Sequence, residues 1–115
     1  MTLNAPREAR LLRLYVNACE RWHHRPLYRE IVETAYAEGM AGASVFPVVS
    51  SFGGHGQIHV AMSDYEFADL PVIIELVDTP ESVSALLERI APILRESLTT
   101  VASVHVVHLP LAVAP

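Results

Sequence analysis

Apolar and polar positions alternate from Leu11 to Ala18, which predicts a strand with Leu12, Leu14 and Val16 on one face and Leu11, Arg13 and Tyr15 on the other. The period then lengthens. Leu27, Ile31, Val32 and Ala35 fall on one helical stripe, with Tyr36 at its edge and Glu30, Glu33 and Glu38 outside it. Pro26 suits the first helical position, where a missing N–H costs little, and Gly39 suits the stop. Ala43–Val49 is β-branched and aromatic and reads as a second strand. Leu70–Asp78 reads as a third, with Pro71 at its start, where proline is tolerated. Thr79-Pro80-Glu81 opens a second helix, with threonine as N-cap and a carboxylate near the positive end of the dipole. Its stripe is Val83, Leu86, Leu87, Ile90 and Leu94, and Pro92 kinks or ends it. Thr100–Leu109 is the last strand. Met1–Ala9 reads as a loose arm, Cys19–Arg25 as a turn, and Pro110–Pro115 as a tail. Gln57–Phe67 is open between a short strand pair and an irregular excursion.

The order strand–helix–strand, loop, strand–helix–strand predicts an α+β fold, a ferredoxin-like βαββαβ sandwich. Right-handed crossovers place both helices on one face of the antiparallel sheet. A wetted second face would be polar. Here the alternate positions include Leu11, Tyr15, Phe46, Val48, Ile73 and Val77. Helices cover one face only, so the other predicts an oligomer, with closed symmetry favouring a dimer or trimer.

Composition narrows the function. A chain of 115 residues is sized for a single domain that buries about two-thirds of its unfolded surface. The net charge is −5 and lysine is absent, so the basic stripe of a nucleic-acid binder is missing. The first ten residues lack the apolar core of a signal peptide, and no apolar run approaches the roughly 18 residues of a membrane span. These features predict a cytoplasmic protein that does not insert into a membrane. Cys19, the one cysteine, reads as an inert small residue at a strand end.

Candidate chemistry concentrates after the second strand. Ser50, Ser51, Phe52, Gly53, Gly54, His55, Gly56 and Gln57 combine hydroxyls with three glycines, a pattern that permits positive φ and close backbone approach to an anion. Arg25 lies beside the start of the first helix, where N–H groups and the dipole favour negative charge, and Arg21 and His23 are near in sequence. Trp22 reads as an anchor of its loop. Ser50, Ser51 and His55 share one loop but lack the rigid orienting group of a triad, and Glu75 and Asp78 point to opposite faces, so no catalytic set is predicted. Six histidines occur without three or four converging on one element, so no metal site is predicted within one chain. Arg13 and Glu75 fit a cross-strand ion pair inside an oligomer.

Two segments, Arg21–Val45 with its RPLY helix start and GAS strand start, and Gly53–Asp78 with its LPVIIE strand, resemble the PII-like proteins catalogued as domain of unknown function number one-ninety. The resemblance runs from Arg10 to Thr100. It implies a non-enzymatic trimeric regulator that binds a small anionic ligand, an adenine nucleotide, in clefts between subunits. Together with the candidates read above, this gives Ser50–Gln57 and Arg25 as the expected ligand-binding residues, and the resemblance implies that residues 52–69 form a T-loop that contacts a protein partner such as a membrane transporter. The chain departs from PII proteins between Arg95 and Val104, where ESLTTVAS contains neither glycine nor lysine. The alternative is a metal-binding trimer resembling cation-tolerance proteins.

Overall fold

The computed structural model describes residues 7–52, 58–60 (as backbone), 70–95 and 97–107. In chain order the elements are β1 (Arg7–Asn17), β2 (Arg21–Trp22), β3 (Arg25–Pro26), α1 (Leu27–Ala37), β4 (Ser44–Pro47), β5 (Ser50–Phe52), β6 (Ile58–Val60), β7 (Pro71–Asp78), α2 (Pro80–Ile90) and β8 (Leu98–Val106). Four of these strands form one sheet in the order β4–β7–β1–β8, every neighbouring pair antiparallel. With one helix between β1 and β4 and another between β7 and β8, this is the ferredoxin-like arrangement that the strand–helix pattern predicts.

One face of the sheet is the core. Leu12, Leu14 and Val16 of β1 and Val72, Ile74 and Leu76 of β7 are buried against Leu27, Ile31 and Ala35 of α1 and Val83, Leu86 and Ile90 of α2. No polar or charged residue is buried among the described residues, so the layer is held by apolar burial. The helix ends follow local chemistry. The Thr79 hydroxyl accepts a hydrogen bond from the Ser82 N–H (3.1 Å), capping α2 ahead of Pro80. At the other end α2 tightens into a 3₁₀ turn, Ala91–Ile93, around Pro92, which cannot donate to the α ladder. Gly39 closes α1 with φ 75°, a conformation that costs glycine nothing.

Several boundaries differ from the sequence reading. Pro26 stands at the N-cap of α1 instead of its first turn, because its ψ of 130° is extended and it pairs with Arg21 in the β2–β3 ladder. Arg7–Ala9 are strand, not arm, since β8 pairs with β1 back to Arg7. For the same reason β8 begins at Leu98, before Thr100. The turn between β2 and β3 is His23-His24, both with positive φ (49° and 67°), the twist a two-residue hairpin demands. Cys19 is exposed just past β1, its N–H donating to Asn17 Oδ1 at 2.7 Å. Ile58–Val60 pair with Ser50–Phe52, which resolves part of the open stretch as a small ladder. The N-terminal arm before Arg7, residues 61–69 and the tail lie outside the described residues.

Among the described residues, the second face of the sheet carries no helix. Cross-strand register sets its side chains in rows. Phe46, Ile73, Tyr15 and Leu98 form one apolar row, and Val77, Leu11 and Ala102 form another. Phe46 and Leu98 are 47% and 62% exposed, so apolar surface is left open to water.

Candidate functional site

The end of the sheet where β1 stops and β7 begins carries Ser50, Ser51 and Phe52, three of the candidate residues. Asn17 opposes Pro71, Tyr15 opposes Leu98, and Pro47 opposes Val72. Backbone bonds hold the segments beyond: Ala18 N–H donates to the Leu70 carbonyl (3.0 Å), and Val48 N–H to the Pro71 carbonyl (3.3 Å). Past Val49 the chain leaves the main sheet. Ser50, Ser51 and Phe52 form β5, which pairs only with β6 in a separate two-stranded ladder. Ser51 is half-buried, whereas Ser50 and Phe52 are exposed. Gly53, Gly54, His55, Gly56 and Gln57, the glycine-rich part of the candidate loop, lie outside the described residues.

Opposite this hairpin, the connection from α2 into β8 arrives at the same end of the sheet. There the Ser97 Oγ is buried with no hydrogen-bond partner among the described residues. An unpartnered buried hydroxyl carries a desolvation cost that a ligand or water removes by bonding to it. The sequence reading passed over this segment because it has neither glycine nor lysine. The hydroxyl run Ser97, Thr99, Thr100 was the available signal.

Arg25 goes elsewhere. Its guanidinium pairs with Glu30 (3.3 Å) and, more closely, with Glu33. The Glu33 hydrogen bond and charge raise its pKa above the usual arginine value, so it stays cationic. It lines a groove of about 360 Å³ with Glu30, Glu33, Arg89 and Glu38. Arg89 in turn meets Glu38 at 3.5 Å. The hydrogen bonds and ion pairs shown for Arg25 are to Glu30 and Glu33, not to Ser50–Phe52. To reach an anion there, its side chain would have to leave two carboxylates. Arg21 is used on its own turn, donating to the His24 carbonyl at 3.3 Å. Trp22 packs against the core and meets the His23 ring edge-on (centroids 4.4 Å apart), so it anchors the loop as the sequence suggested.

For metal chemistry, no group of three His, Cys, Asp or Glu side chains converges among the described residues. No helix there is long and apolar enough to cross a membrane.

A model of the DUF190 family, described as an uncharacterized ACR, matches residues 9–106. A UPF0166 protein of Aquifex aeolicus is 29% identical over 87% of this chain and 94% of its own length. Among solved structures, the fold is similar to CPII of Thiomonas intermedia K12, a nitrogen regulatory PII-like protein bound to ADP, AMP and bicarbonate. That similarity has a TM-score of 0.69 and 16% identity, over 91% of this chain and 93% of that one. It is also similar to a divalent cation tolerance protein of Thermus thermophilus, with a TM-score of 0.53 and 15% identity, over 93% of this chain and 87% of that one.

Proposed function

The chain belongs to the DUF190 family, related in fold to PII proteins, and from that premise we propose that it is a regulatory protein assembled from several copies, a trimer, which binds an adenine nucleotide at its subunit clefts. The observation that carries this reading is the branching of β5–β6 out of the main sheet at the end where Ser97 holds a buried, unpartnered hydroxyl. A ligand seated there would meet Ser50–Gln57 on one side and the segment entering β8 on the other. The two flanking strands, β4 and β8, are the opposite edges of one sheet. A single copy therefore cannot close a cleft between them, but two neighbouring copies can.

The ligand is small and weakly charged on this reading. The chain has no lysine, and Arg25 is held by Glu30 and Glu33. Hydroxyls and backbone N–H groups suit one or two phosphates better than three, since each further charge needs a cation. The solved relative bound to ADP, AMP and bicarbonate fits that class. Binding would govern how the segment of residues 52–69 meets a protein partner, through contacts made only in the ligand-bound form.

Titration calorimetry with AMP, ADP, ATP and bicarbonate tests the reading, with the oligomeric state followed by sedimentation. Heat with AMP or ADP and weaker heat with ATP supports it. No heat with any of the four, at protein concentrations well above micromolar, overturns it. The metal-binding alternative rests on fold similarity to the cation tolerance protein, and metal content of tag-free protein decides it.

A further inference from the structure

The middle of the open face of the sheet, between the Tyr15 and Leu11 rows, is apolar except along one line. Register places Ser44, Glu75, Arg13 and Thr100 side by side across all four strands, between the apolar rows that contain Tyr15 on one side and Leu11 on the other. At its centre Arg13 Nε donates to Glu75 Oε2 at 2.9 Å. The pair is half satisfied. Among the described residues neither terminal nitrogen of Arg13 makes a hydrogen bond, and Glu75 Oε1 accepts none. The two side chains remain 46% and 31% exposed.

Burying such a pair is unfavourable unless its leftover donors and acceptors find partners. The flanking rows are too apolar to stay wet. An occupant must therefore bring apolar surface and, on the same line, both a carboxylate and a cation. A second copy of this face brings that combination, because the belt carries one charge of each sign and is self-complementary.

We propose that the Arg13–Glu75 belt is the charge key of self-assembly: each Arg13 reaches Glu75 of a neighbouring copy as well as its own, and this fixes the register of copy against copy. This rests on the assembled state proposed above and adds which residues set it. Apolar rows alone would allow sliding, since burial is non-directional. A fixed pair of opposite charges penalises every register that leaves either one buried and alone.

Subunit mixing tests the key. The double variant R13E/E75R keeps the pair within each chain and between identical copies, but sets like charges together in a mixed assembly. Wild type and double variant, carrying tags of different mass, are co-expressed and the assemblies weighed by native mass spectrometry. The expected result is that each assembles with itself, and mixed species fall at least tenfold below the statistical proportion. Mixed species at the statistical proportion overturn the proposal and confine the pair to one chain. Wild type that is monomeric at working concentration overturns the assembled state itself, a separate and recognisable outcome. Where the double variant does not fold, the single variants R13E and E75R are co-expressed instead. Mixed assemblies enriched well above the statistical proportion uphold the key, and mixed assemblies at or below that proportion overturn it.

Discussion

The Ala41 N–H donates to Asp78 Oδ2 at 2.9 Å, and this bond pins the connection after α1 to the end of β7. The other carboxylate oxygen, Oδ1, takes the Thr79 N–H at 2.7 Å, so one side chain fixes both the entry to β4 and the entry to α2. Asp78→Ala removes both bonds, one at the exposed Ala41 N–H where water can take over, and should cost about 0.5–1.5 kcal/mol. Asp78→Asn keeps one acceptor and should cost less. Chemical denaturation of the two variants checks the order.

The Thr79 cap is separable from that carboxylate. Thr79→Ala removes the acceptor for Ser82 N–H and should lower stability by about 1 kcal/mol, while Thr79→Ser should restore most of it. Thermal melts of both variants give the comparison.

The His23-His24 turn has positive φ at two side-chain-bearing residues. Left-handed backbone costs a non-glycine residue about 1 kcal/mol, part of which glycine's larger unfolded-state entropy offsets. His24→Gly should therefore raise stability by a net ~0.5 kcal/mol, and His24→Val should lower it. A melting temperature that falls on His24→Gly would show that the histidine makes a compensating contact.

Neighbours on β7 should behave differently. Ile74 is fully buried in the core, so Ile74→Ala should cost about 2–5 kcal/mol at any protein concentration. Ile73 lies on the open face beside Tyr15. Ile73→Ala should act mainly on assembly, shifting the association midpoint to higher protein concentration with a smaller effect on the fold. Sedimentation over a concentration series separates the two.

Ser97→Ala deletes the buried unpartnered hydroxyl. The free protein should be as stable or up to about 1 kcal/mol more stable, while affinity for the nucleotide found by titration should fall about 3–10-fold. Stability that drops instead would show that Ser97 serves the fold.

Periodicity made most of the fold readable. The alternation in β1 placed Leu12, Leu14 and Val16 inside and Leu11, Arg13 and Tyr15 outside, and both sets lie where it placed them. Thr79-Pro80 and Gly39 are local signals, complete within a turn or two of chain, and both act as local chemistry dictates. The candidate site was less readable. Arg25 was legible as a cation beside the start of α1, but its pairing with Glu30 and Glu33 was not, because the partners are five and eight residues on and the folded turn brings them to it. Ser97 gave no motif, since being buried without a partner depends on what surrounds it.

Local residues and fixed periods were enough to place the four main-sheet strands, the two helices, the core face and the helix stops, but not the short β2–β3 and β5–β6 ladders. Tertiary structure alone decided the row Ser44–Glu75–Arg13–Thr100, the occupation of Arg25 by glutamates and the isolation of the Ser97 hydroxyl. The first and third depend on strand order and register, and the second on the turn into α1 that folds Arg25 back over Glu30 and Glu33. Pairing distant segments sets the register, and no local preference of the chain encodes it.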